Sequence, residues 1–354
     1  MKKIIGLTLF IGSMLGMTSV LQAQNGAAPQ APTSANYPAW AYAIPSSPRP
    51  ARAADDGTLL TLPGSSLSFT ASKIRGRLTS DPRKRVAPAD WFPEDHPTMP
   101  NIVAEGDSER GIVACSLCHL PNGKGRPENA PPASQTREYT IMTLMDMKNG
   151  LRVNADPRKG NAISMNNFAK AMTQEEIEVV AEYYASMKWT PWIKVKETEQ
   201  IPLMYNVGGV WLPIEGANAG MEPIGMRVIE TPENVEYAEK MRSPRSGFIA
   251  YAPVDSVAKG KSIVTTGDNG KTIACAICHG PDLHGVGTIP SIAARSPSYI
   301  ARQLFNYQAG TRNGTMASLM KPVVANLTNE DFVNITAYLA GLPAQTPTPT
   351  FNTE

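Results

Sequence analysis

All four cysteines of the 354-residue chain lie in two copies of one frame, "CSLCH" (Cys115, Cys118, His119) and "CAICH" (Cys275, Cys278, His279). Three chemistries use paired thiols: a disulfide or redox dithiol, a zinc site, and thioether attachment of haem. Structural cysteines in an oxidising compartment are scattered and paired to staple loops, and these are not scattered. A redox C-x-x-C needs no histidine directly after it, yet one follows both times. Four thiolates can hold zinc, but 156 residues separate Cys118 from Cys275, a distant arrangement rather than a compact one. Thioether chemistry accounts for every element. Two thiols three positions apart add to the two vinyl groups of one porphyrin, and the adjacent imidazole becomes the proximal iron ligand. The frames therefore predict two covalently attached c-type haems, with His119 and His279 as metal ligands.

The compartment agrees. "MKKIIGLTLFIGSMLGMTSVLQAQ" has Lys2 and Lys3, an apolar stretch and a small-residue ending near Ala23, so residues 1–23 read as a cleaved signal peptide. The expected location is periplasmic or otherwise exported. No later stretch is apolar for long enough to span a bilayer, so no membrane span is expected after cleavage. The formal charge of +2 falls to zero once Lys2 and Lys3 are lost, which gives no bulk attraction to nucleic acid or anionic membrane. The remaining length suggests two or three modest domains.

An internal duplication supplies the elements that position these residues. At an offset of 160, Tyr139 faces Tyr299, Leu144 faces Leu304, Gly150 faces Gly310 and Arg152 faces Arg312. After the arginines the offset drops to 155, and Met165 then faces Met320 and Tyr183 faces Tyr338. Each copy reads as a helical unit. A leading helix lies within 98–111 in the first copy and at 256–266 in the second. A middle helix covers 138–149 and 297–309, with Ser296 as N-cap, Pro297 in the first turn and Gly310 at the stop. The last helix covers 174–187 and 329–340. Thr173 with Glu176 forms a capping-box pattern, and Ile177, Val180, Ala181 and Tyr184 share one apolar face. Met165 and Met320 each fall in what reads as the loop before that helix, eight residues ahead of Thr173 and Thr328.

On these motifs the chain resembles the tandem di-haem class I cytochromes c of the bacterial periplasm, over about residues 95–187 and 256–342. The resemblance implies three or four helices around each haem, with an N-terminal helix crossing a C-terminal one. It also implies Met165 and Met320 as the second axial ligands, and a proline carbonyl that orients the proximal histidine. Pro290, eleven residues after His279, matches that proline. In the first copy Ala130 holds the equivalent place and Pro131 stands one step later, so Pro131 is the candidate there. Of the two other histidines, His284 reads as a solvated loop residue. His96 reaches a distal face only if the segment before the first unit folds over it.

Outside the repeat, residues 24–54 read as a Pro/Ala-rich tether, 55–94 as an irregular N-terminal segment with a strand pair in "TLLTLPGSSLSFT", and 343–354 as a flexible tail. Residues 188–255 are too long for an ordinary connection and read as a largely irregular strap in the groove between the units. The fold class expected is mainly α: two class I cytochrome c domains, a strap and an extended N-terminal segment. The function expected is one-electron transfer between a redox donor and acceptor, with no catalytic residues. The alternative is a haem subunit of a larger dehydrogenase or oxidase complex. A di-haem peroxidase or sulfur-compound oxidoreductase needs a vacant or unusual axial ligand, and no fifth cysteine exists to supply one.

Overall fold

A computed structural model describes residues 29–44, 55–77 and 87–344. The signal-peptide reading of 1–23 and most of the expected tail, 345–354, lie outside the described residues.

Residues 37–44 are not a free tether. The short helix α1 (Ala39–Tyr42) is buried against the second unit, where Trp40 Nε1 donates to Asn329 Oδ1 (2.9 Å) and the Tyr42 hydroxyl to Asn306 Oδ1 (3.1 Å). Large aromatic side chains with satisfied polar ends override the Pro/Ala composition that suggests a linker. The next segment carries the expected pair, β1 (Leu60–Thr61) antiparallel to β2 (Ser68–Phe69), and a one-turn helix α2 (Ala71–Ile74). It builds a small core of its own from Leu62, Ile74, Trp91 and Phe92, closed by Met241 from the strap.

In the first unit the leading helix is only α3 (Asn101–Ala104), because the chain then reverses in a hairpin, β3 (Gly106–Asp107) with β4 (Ile112–Val113). Gly106 makes that reversal at φ +77, where a Cβ would sit 2.4 Å from the Ile112 carbonyl. The motif helix α4 (Cys115–His119), α5 (Arg137–Lys148), α6 (Gly160–Ala171) and α7 (Gln174–Ala185) follow. Thr173 and Glu176 cap α7 reciprocally, and Ile177, Val180, Ala181 and Tyr184 are buried.

The strap is not irregular. It holds β5 (Ile193–Glu197), β6 (Gln200–Pro202), β7 (Met204–Val207), β8 (Val210–Pro213), β9 (Met221–Pro223), β10 (Ile229–Pro232) and β11 (Phe248–Ala252). Strands β10, β11 and β5 form one sheet, antiparallel between the first two and parallel between β11 and β5. Its alternation decides the packing: Phe248, Ala250 and Ala252 are buried while Ile249 and Tyr251 are half-buried. Phe248 joins Trp189 and Trp192 in the core of the first unit, whereas Ala250 and Ala252 belong to the core of the second. The sheet thus welds the two cores together.

The second unit consists of α8 (Ser256–Thr266), the motif helix α9 (Ala276–His279), α10 (Pro297–Gln308), α11 (Ala317–Val324) and α12 (Asn329–Ala340). Helices α8 and α12 cross at Gly260, where a Cβ would fall 1.9 Å from the Asn334 carbonyl oxygen, so only glycine permits this approach. Ser296 Oγ accepts from the Tyr299 N–H at the start of α10, and Pro297 occupies its first turn.

Candidate haem sites

Both motif histidines are set by the same local device. His119 Nδ1 lies 2.8 Å from the Ala130 carbonyl and His279 Nδ1 lies 2.7 Å from the Pro290 carbonyl. A carbonyl only accepts, so the ring proton resides on Nδ1 and the Nε2 lone pair is left for a metal. Burial pushes both imidazoles toward the neutral form. The carbonyls reach the rings because the loop folds back at Gly125 and Gly285, whose N–H groups donate to the His119 and His279 carbonyls at 2.7 and 2.9 Å. A Cβ at Gly125 would stand 2.9 Å from the Ala130 oxygen, and one at Gly285 would stand 2.5 Å from the Ile289 oxygen.

Pro131 does not have the expected role. Ala130 supplies the carbonyl in the first unit, and the Pro131 carbonyl instead accepts from Arg295 Nη1 of the second unit at 3.0 Å. The contact needs a backbone oxygen at a fixed distance along the loop, which any residue type can provide.

A cleft opens beside the second motif, lined by Cys275, Cys278, His279, Pro290 and Met320 among mostly apolar side chains. Met320 lies on α11 and Met165 on α6, so neither is in a loop as the sequence suggests. In the first unit Met165 and Cys115 pack against the same core. Met316, one turn before Met320, and Met142 from the first unit also line the second cleft.

The far end of this cleft is polar and is shared between the units. Arg152 and Arg312 pair as an antiparallel bridge, flanked by Val153 N–H to Thr311 O (3.0 Å) and Asn313 N–H to Leu151 O (2.7 Å). Arg312 Nη2 donates to the Tyr139 hydroxyl (3.1 Å), and Arg152 Nη2 donates to the Tyr299 hydroxyl (3.2 Å) and Gln303 Oε1 (2.9 Å). Both guanidiniums are buried, and among the described residues neither has a carboxylate within ion-pair distance. Burial raises the Tyr139 pKa, but Arg312 and Arg152 more than reverse this and hold it well below the ordinary phenol range. Two buried cations with no carboxylate beside them are costly. They fit a haem, whose carboxylates lie on the porphyrin edge opposite the thioethers. Arg152 with Arg312 and Tyr139 with Tyr299 are repeat-equivalent pairs, and each arginine bonds the tyrosine of the other unit.

The rival chemistries find no support in the geometry. Burial pushes the Cys115 thiol up to about 12 and the Cys275 thiol up to about 11, the reverse of a reactive redox thiolate. Among the described residues, no group of three or more His, Cys, Asp and Glu side chains is placed to hold a metal ion. His96 does not reach a distal face: its ring bonds Asp90 Oδ1 (3.2 Å) and the Pro97 carbonyl (2.9 Å) and packs edge-on against Tyr183. His284 stands on the loop after the second motif, where its backbone N–H donates to Asp282 Oδ1. No described helix is long and apolar enough to cross a membrane.

Comparison with known proteins points the same way. The family model for cytochrome c matches residues 257–343. Over 247 residues the chain is 22% identical to cytochrome c4 of Pseudomonas aeruginosa, covering 68% of this chain and 90% of that protein. It is 25% identical over 236 residues to a thiosulfate dehydrogenase electron acceptor of Thiomonas intermedia, covering 65% of this chain and 79% of that one. A 65-residue stretch, 18% of this chain, is 37% identical to cytochrome c-554(548) of Halomonas halodenitrificans and spans 78% of it. A histidine held neutral behind paired thiols, in a fold unit that other haem carriers share, leaves one assignment: the chain belongs to the cytochrome c family and is an electron-transfer protein with covalently bound haem.

Proposed function

We propose that this chain is an exported di-haem carrier that relays single electrons between a donor and an acceptor protein and turns over no substrate of its own. Cys115, Cys118 and His119 with Met165 would hold one haem, and Cys275, Cys278 and His279 with Met320 the other. When bound, the haem irons supply the one-electron couples. The chain's part is to fix each imidazole through Ala130 or Pro290, to bring a thioether sulfur to the remaining axial position, and to exclude water with apolar walls. The observation that carries the reading is the shared polar cluster. Arg152 and Arg312 come from equivalent positions of the two units and meet at one interface, which supports a pair of equivalent haem sites that adjoin there. With a methionine on each iron, peroxide or a sulfur anion has to displace a ligand before it can react, which favours outer-sphere transfer.

A second reading rests on one observation, the likeness to a thiosulfate dehydrogenase electron acceptor over 65% of this chain. On that reading the chain is the accepting subunit of a dehydrogenase complex and still transfers electrons one at a time. The test of the di-haem assignment is intact mass. The mature protein should exceed its polypeptide by two haems, and the double variant Cys115→Ala, Cys118→Ala should retain one. One haem in the wild-type protein would contradict the proposal.

A further inference from the structure

The loops that hold the two proximal histidines touch each other across the unit boundary. Gln135 stands on the first unit, one residue before Thr136, the N-cap of α5. Its side chain is buried and bonds Ser291, on the loop of the second unit, twice: Nε2 donates to the Ser291 carbonyl (3.0 Å) and Oε1 accepts from the Ser291 N–H (3.0 Å). One of these partners only accepts and the other only donates, so a single orientation of the amide satisfies both. The backbone beneath is fixed. The Gln135 N–H donates to the Pro132 carbonyl (3.2 Å), the Ser134 N–H to the Tyr184 carbonyl (2.9 Å), and Thr136 Oγ1 to the Gly287 carbonyl.

The Ser291 N–H belongs to the same peptide group as the Pro290 carbonyl, and that carbonyl holds His279 Nδ1 at 2.7 Å. The bonds therefore form one chain, from the imidazole N–H to the Pro290 oxygen, through the amide to the Ser291 N–H, and on to Gln135 Oε1. An acceptor on the N–H pushes amide electron density toward the oxygen, and bonds in such a chain strengthen one another. In the first unit the chain is cut. At the offset of 160, Gln135 corresponds to Arg295 and Ser291 to Pro131, and the counterpart contact runs from Arg295 Nη1 to the Pro131 carbonyl (3.0 Å). The Ala130–Pro131 peptide, however, has no N–H, and a guanidinium has no acceptor to offer. The Ala130 carbonyl that holds His119 receives no such support.

On the di-haem reading, we propose that Gln135 is a positioning residue that acts across the unit boundary on His279 and lowers the reduction potential of the second haem without acting on the first. A firmer hydrogen bond at Nδ1 gives the imidazole more anionic character, and the stronger ligand favours ferric iron. The second site is thus tuned by a side chain that its own unit lacks. Lowering one of two otherwise equivalent couples biases the electron toward the first iron.

The test compares Gln135→Leu and Gln135→Glu with the wild-type holoprotein, by proton NMR of the reduced state and by redox titration followed at the separate haem methyl signals. In Gln135→Leu the His279 Nδ1–H resonance should move upfield while that of His119 stays. The second potential should rise, with its ferric–ferrous equilibrium shifted about threefold, or about 28 mV at about 59 mV per tenfold change, and the first should hold. Gln135→Glu keeps an acceptor for the Ser291 N–H in either protonation state, so its second potential should stay at or below the wild-type value. A rise in both variants, an equal shift at both haems, or an unmoved His279 resonance in Gln135→Leu overturns the proposal. Intact mass of the wild-type sample separates the two possible failures: one haem refutes the di-haem reading, whereas two haems with an unmoved resonance refute the role of Gln135 alone.

Discussion

Met320→Ala is expected to convert one iron to a high-spin form that takes up about one carbon monoxide per protein, where the wild type takes up almost none. Met320 lines the second cleft together with His279; on the proposed ligation its removal would leave the sixth position without the sulfur that favours a low-spin, comparatively high-potential couple. Met165→Ala should do the same at the first iron. Visible spectra of the reduced protein with and without carbon monoxide decide the matter. Two other methionines compete: Met316 lies one helical turn before Met320, and Met142 enters the same cleft from the first unit. If Met316→Ala opens the iron and Met320→Ala does not, the ligand is misassigned by one turn of α11.

The second large effect is expected at Arg312. Its guanidinium is buried between Tyr139, Gln303 and the face of Tyr307 (4.4 Å to the ring centre), with no carboxylate of the described chain to neutralise it. If a haem carboxylate is its counter-ion, Arg312→Ala leaves that carboxylate buried and unpaired, a loss of about 3–5 kcal/mol in holoprotein stability. The potential of the adjacent iron should also fall, because a cation that favoured the ferrous state is gone. A tenfold change in that equilibrium corresponds to about 59 mV for one electron. Denaturant unfolding followed at the haem absorbance, with redox titration of the same variant, measures both. Arg312→Lys should recover much of the charge effect and less of the stability, since an ammonium cannot bridge Tyr139 and Gln303 as a planar fork does.

The chemistry of this protein was legible because it is local. Cys-x-x-Cys-His needs five consecutive residues, and the caps at Thr173 and Ser296 need four, so the motif and the helices α5, α7, α8, α10 and α12 could be read directly. What escaped depends on contacts across long sequence distances. The parallel pairing of β5 with β11 joins residues 55 positions apart, such as Ile193 and Phe248, and neither strand carries a turn signal that announces the other. Residues 37–44 looked like a linker because Trp40 and Tyr42 reveal their purpose only once Asn329 and Asn306 are beside them. Residue type points to Pro131, whereas the fold uses only a carbonyl position, which Ala130 supplies. Met165 and Met320 read as loop residues because α6 and α11 lack the side-chain N-caps that mark α7 and α10 in the sequence.

The central claim, a relay rather than a catalyst, is most directly tested by rapid mixing of the fully reduced protein. Oxidation by a soluble one-electron acceptor should be fast and should release two electrons per chain. Peroxide or thiosulfate should react slowly and without saturation. Saturable turnover of either at rates typical of enzymes, about 1–1000 per second, would contradict the account.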